Sequence, residues 1–115
     1  MVGVEPKLVD DAYRSLKSGV IQYNTNTNTI ADGLRTNLGD INFPIIKKLI
    51  KDIICVSEDE IIDALKIFIE RLDVIIEPSS AVALAGLINK KEYYKNKKVG
   101  VVISGGNVDL EALNI

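Results

Sequence analysis

Short β-branched runs alternating with stretches of helical periodicity constrain this chain more than any other feature. Asp52-Ile53-Ile54-Cys55-Val56 reads as a strand, residues 1–4 as the tail of one, and residues 98–104, apolar after Lys98, as another; residues 74–76 add a short extended piece. Strands separated by helices return in the same direction only through crossovers, so the pattern argues for a parallel sheet. Such a sheet must be covered on both faces. The expected fold class is α/β, a partial parallel sheet with flanking helices. With so few strands, and the first entered at residue 1, both sheet edges would be left wanting partners, and the expectation is part of a larger domain.

The helices carry their own punctuation. Residues 7–18 predict a helix with Leu8, Ala12 and Leu16 on one side and Gly19 as its stop. Residues 43–50 predict a second, with Pro44 in its first turn and Ile45, Ile46, Leu49 and Ile50 as the buried stripe. Ser57-Glu58-Asp59-Glu60 has the spacing of a capping box, and Ile61, Ala64, Leu65, Phe68, Ile69 and Leu72 continue at helical spacing toward Asp73. Pro78 biases Glu77 away from helical angles, and Ser79 or Ser80 is placed to cap a small-residue helix over residues 81–89. The NTNTNT run within residues 23–29 has too little apolar surface for a core and reads as an exposed loop.

Composition excludes much chemistry. The 115 residues suffice for one compact domain, and with 47% hydrophobic residues, 26% charged residues and a net charge of −2 the chain reads as globular with no polyanion partner. The basic and aromatic stretch at residues 90–98 is accordingly a solvated helix end and loop rather than a nucleic-acid patch. No run approaches the ~18 uncharged residues of a membrane span, and no leader pattern opens the chain, so a cytoplasmic setting is expected. One cysteine, Cys55, and no histidine exclude an internal disulfide, a Cys/His zinc site and any histidine-based triad. Cys55, in a strand, reads as inert packing.

The last apolar run ends abruptly, as Val101-Val102-Ile103-Ser104-Gly105-Gly106-Asn107. In open α/β sheets ligands collect at the carboxyl ends of strands, where glycines let backbone approach closely. The alternative is a tight turn in which Gly105 and Gly106 supply positive φ. No GxGxxG or GxxxxGK[ST] accompanies the run, so nucleotide binding is not indicated.

Four segments in order and register are more telling: Val4-Glu5-Pro6 with Asp10-Asp11; Thr29-Ile30-Ala31-Asp32-Gly33; Ile76-Glu77-Pro78-Ser79-Ser80-Ala81; and Ile103-Ser104-Gly105-Gly106-Asn107-Val108-Asp109. Together they resemble the pyridoxal-phosphate-dependent serine/threonine dehydratase family, in its branch of serine racemases, serine dehydratases and 3-hydroxyaspartate ammonia-lyases. The resemblance covers that family's C-terminal half. It implies that residues 1–115 are the C-terminal portion of a large domain of the tryptophan-synthase-β-like type, fold type II, with the N-terminal half absent.

What the resemblance implies for the site is specific. Ser104 matches the serine that hydrogen-bonds the pyridine nitrogen of pyridoxal 5'-phosphate. A neutral hydroxyl cannot hold a pyridinium as an aspartate would, so the ring is a weaker electron sink, suited to β-elimination or racemisation. Glu77 matches the glutamate facing the ring edge, and Gly33 a glycine lining the cofactor. Glu5, the carbonyl of Val9 and Asp11 match a divalent-cation site whose hard oxygen ligands suit Mg²⁺, Ca²⁺ or Mn²⁺; read without it, Glu5 and Asp11 are solvated charges at a helix N-terminus.

The family's Schiff-base lysine and its phosphate-gripping loop belong to the half not matched, and no lysine here stands in that catalytic context. This chain is therefore expected to be inactive alone and to contribute no catalytic base. The expected partners are a small hydroxy amino acid in the complete enzyme and either a second copy or the missing half, with no nucleic acid and no membrane. The alternative reading is a non-catalytic remnant, serving as an interaction or metal-binding module.

Overall fold

The computed structural model describes residues 1–114. Strands β1 (Val2–Pro6) and β2 (Asp52–Val56) form a two-stranded parallel sheet in the register Val2 to Asp52 through Pro6 to Val56. Around it lie α1 (Asp11–Ser18), α2 (Asn42–Leu49), α3 (Glu58–Leu72) and α4 (Pro78–Asn89), with short 3-10 turns at Lys7–Val9 and Asp32–Leu34. No helix among the described residues is long and apolar enough to cross a membrane.

The pleat divides the strand residues between two faces. Val4, with its register partner Ile54, faces α4, and Gly86 makes the close approach possible, because any side chain there would run into Val4. On the other face Glu5 turns toward α1, and Cys55 is its register partner. The core lies between β2, α3 and α4, built from Ile54, Val56, Ile61, Ala64, Leu65, Phe68, Ala81, Val82 and Ala85, with Ala31 and Ile76 closing its ends. The Ser57 capping box is present, with Glu60 N–H to Ser57 Oγ at 3.2 Å and Ser57 N–H to Glu60 Oε2 at 2.6 Å. Asp73 ends α3 in the left-handed region, at φ 50°.

Several expectations need correction. The helix over residues 7–18 is broken: a 3-10 turn covers Lys7–Val9, and α1 starts only at Asp11. Its buried face carries Asp11 and Ser15, while Leu8 is exposed. Pro6 in extended geometry and the Glu5 carboxylate, which accepts from the first-turn N–H groups of α1, reset the start of the helix. In α2 only Phe43 is buried; Ile45 and Leu49 face outward, so periodicity there marked an apolar face with no cover among the described residues. Helix α4 begins at Pro78, with Glu77 rather than a serine as the capping residue, because proline suits the first helical position. The NTNTNT loop is exposed along its middle but pinned at its end. Thr29 is buried and donates its hydroxyl to Glu58 Oε2 at 3.0 Å, while the Ile30 N–H donates to Glu58 Oε1 at 2.6 Å.

The largest departure concerns residues 98–104, which form no ladder with β1 or β2, as residues 74–76 form none. Val102 is 80% exposed and Val99 and Ile103 are exposed as well. Between this segment, the α4-facing side of the sheet and α4 lies a cavity of about 730 Å³, lined by Val2, Val4, Ile54, Val82, Leu87 and Val101 among others. A β-branched segment of this composition is suited to a ladder, and the described residues offer it none. The exposed stretch at residues 90–98 matches expectation, with Tyr93 and Tyr94 edge to face at 4.9 Å and Lys97 over the Tyr93 ring.

Candidate functional site

The turn Ser104-Gly105-Gly106 is held against the start of α4. Glu77 N–H donates to the Gly105 carbonyl at 3.2 Å, the Gly105 N–H donates to Ser80 Oγ at 2.8 Å, and Ser80 Oγ lies within donating distance of the Gly105 carbonyl at 3.0 Å. Ser80 Oγ also lies 3.2 Å from Ser104 Oγ. The glycines do not act as a positive-φ turn; among the described glycines only Gly19 takes that conformation. They serve close approach instead. A Cβ on Gly105 would lie 2.8 Å from Glu77 Oε1, and one on Gly106 would lie 2.8 Å from the Ile75 carbonyl oxygen.

Glu77 lies against Gly105, the residue after Ser104. Ser104, exposed, opens onto the 730 Å³ cavity together with Ser79, Ser80 and Leu34. Glu77 and Gly33 do not line that cavity. Gly33 donates its N–H to Ser79 Oγ at 3.0 Å, so it touches the same helix start from the other side, and it lines a second hollow of about 200 Å³ with Glu5, Asp11 and Leu38. Leu34 lines both hollows. A neutral hydroxyl held at a cavity mouth by a buried partner, beside glycines that keep the backbone close, fits the edge of a planar heteroaromatic cofactor.

The second hollow holds the expected cation ligands. Glu5 accepts from Tyr13 N–H at 2.8 Å and Ala12 N–H at 3.1 Å; buried Asp11 accepts from Leu38 N–H at 2.6 Å and from Asn24 Nδ2 at 3.0 Å. Burial pushes the Glu5 carboxyl up to about 7, against the pull of the Tyr13 and Ala12 N–H groups and with Asp11 and Asp10 adding to the rise. Val9 is buried at the end of the 3-10 turn between them. Two carboxylates line one hollow, and hard oxygen ligands of that kind suit a divalent ion, although the described residues include no group of three or more His, Cys, Asp or Glu side chains placed to hold a metal. On the same face, burial, with Glu5 and Asp10, pushes the Cys55 thiol up to about 11, in keeping with an inert side chain.

Sequence reasoning missed Ser80 as more than a helix cap, and it missed Asn24 and Leu38 as partners of Asp11. For Ser80 the only signal was its position three residues after Glu77.

Residues 1–105 match the family model described as pyridoxal-phosphate dependent enzyme. The chain is 52% identical over 114 residues to the serine racemase of Dictyostelium discoideum, covering 96% of this chain and 35% of that protein. It is 42% identical over 113 residues to the beta-hydroxyaspartate dehydratase of Paracoccus denitrificans, covering 98% of this chain and 36% of that protein. The solved structure of maize serine racemase superposes with a TM-score of 0.90 at 41% identity, over 97% of this chain and 36% of that one. The chain thus spans about a third of the length of the relatives it matches. Its α/β architecture is that of the fold type II enzymes of this group. The chain belongs to the pyridoxal-phosphate dependent enzyme family, in the branch of serine racemases and hydroxyaspartate ammonia-lyases.

Proposed function

We propose that this chain is the portion of a pyridoxal-phosphate-dependent ammonia-lyase or racemase that walls the cofactor ring and holds a divalent cation. The substrates are serine, threonine or related 3-hydroxy amino acids, and the chemistry is Cα deprotonation followed by β-elimination. When bound, pyridoxal 5'-phosphate supplies the electron sink for charge developing at Cα. Ser104 Oγ donates to the ring nitrogen and leaves it uncharged, which favours elimination or racemisation. Glu77 would stand at the ring edge, and Gly33, in the adjoining hollow, would leave room for the cofactor beside it. Glu5, the Val9 carbonyl and Asp11 hold Mg²⁺, Ca²⁺ or Mn²⁺, fixing the junction of β1 and α1 against the cofactor wall. The observation that carries this reading is the Ser104 hydroxyl, fixed by buried Ser80 at the mouth of a 730 Å³ cavity with Glu77 against the next residue.

The catalytic base and the phosphate grip come from the rest of the fold, which docks along the apolar cavity beside residues 98–104. The test is to co-express this chain with the part of Dictyostelium serine racemase outside the matched third, then assay keto-acid release from serine. Activity only in the pair is expected. A stable, correctly assembled pair that binds the cofactor yet leaves serine and threonine untouched would favour the non-catalytic module instead.

A further inference from the structure

Ser80 Oγ stands within hydrogen-bond reach of three polar atoms and has one proton to give. It accepts from the Gly105 N–H at 2.8 Å, so that proton goes either to the Gly105 carbonyl at 3.0 Å or to Ser104 Oγ at 3.2 Å. Ser80 is 2% exposed, so these protein atoms are its principal partners. When the proton goes to Gly105, the contact between the two hydroxyls requires Ser104 to donate to Ser80, and Ser104 then offers the cavity only lone pairs. When it goes to Ser104, the Ser104 proton is free to point into the cavity. The Gly105 carbonyl is not orphaned by the second arrangement, because it still accepts from Glu77 N–H at 3.2 Å.

From this we infer that Ser80 is a positioning residue whose hydroxyl sets Ser104 as a hydrogen-bond donor toward an unprotonated acceptor in the cavity. The identity of that acceptor as the cofactor ring nitrogen rests on the function proposed above; the proton switch itself does not. Ser80 touches neither cofactor nor substrate, and acts through Ser104.

Two measurements test this. The first uses this chain alone. In the wild type, the Hα–Hβ couplings of Ser104 should report a single side-chain rotamer, and in Ser80→Ala they should average. Loss of backbone anchoring by itself would accelerate amide exchange at Gly105 without averaging that rotamer. Averaged couplings in the wild type, or unchanged ones in a folded Ser80→Ala chain, overturn the inference. The second uses the completed pair with pyridoxal 5'-phosphate as probe, followed by its visible absorbance. Ser80→Ala should weaken cofactor affinity about tenfold when Ser104 is present and less than about twofold in a Ser104→Ala background, since residues acting through one contact are not additive. Equal losses in both backgrounds defeat the positioning role and leave the proposed function standing. An affinity indifferent to Ser104→Ala defeats the proposed function, and the Ser104 couplings then test by themselves whether Ser80 holds the Ser104 side chain.

Discussion

The bodies of α3 and α4 and the segment at residues 98–104 are built from similar apolar residues and end in opposite circumstances. Ile61, Leu65 and Val82 are fully or almost fully buried, whereas Val102 is 80% exposed. The difference lies in partners. A helix satisfies its own backbone and needs only a surface to lie on, which β2 and the neighbouring helix provide. A strand needs a ladder, and the described residues offer residues 98–104 none. Local sequence therefore secures the helical half of this chain, while residues 98–104 find no ladder among the described residues.

Substitutions can break that contrast. Leu65→Ala should cost about 2–5 kcal/mol in urea unfolding, because it empties a fully buried site where three elements meet. Gly86→Ala should cost about 1–3 kcal/mol by forcing α4 away from Val4, read as a lower unfolding midpoint. Glu58→Ala should lose about 1–3 kcal/mol, since buried Thr29 and the Ile30 N–H would be left without their acceptor. Val102→Ala should stay within about 0.5 kcal/mol of the wild type. A cost for Val102 comparable to that for Leu65 would mean that residues 98–104 are already packed, and the contrast would fail.

A smaller effect sharpens the comparison through pH. Burial works to raise the Glu60 carboxyl, but hydrogen bonds from the Ser57 backbone, the Asn89 amide and the Ser57 hydroxyl outweigh it and hold it below the ordinary glutamate range. A carboxylate depressed in the folded state stabilises above its unfolded pKa and loses that contribution as pH falls through the folded one. Thermal melts of wild type and Glu60→Gln should therefore differ most near neutrality and converge in acid. A difference that grew with acidity would reverse the assignment.

Much of this was legible in the chain itself, and unevenly so. The strand at residues 52–56 and the capping box at Ser57 follow from local chemistry and stand where expected. Glu77 lies against Gly105, the neighbour of Ser104. The outward face of α2 and the unpaired segment at 98–104 are not legible in the same way, because periodicity reports an apolar face without naming what covers it. The break before α1 escaped notice because it arises from a side chain on the preceding strand, Glu5, reaching into the helix start. Ser80 stayed hidden for a similar reason: its role depends on a turn 25 residues away.

The most direct test is the ring-nitrogen chemical shift of 15N-labelled pyridoxal 5'-phosphate bound to the completed protein. With Ser104 in place the shift should report an unprotonated nitrogen accepting one hydrogen bond, and Ser104→Asp should move it to that of a pyridinium. A pyridinium shift in the wild type, or a shift that ignores the Ser104→Asp exchange, would show that this hydroxyl does not meet the ring.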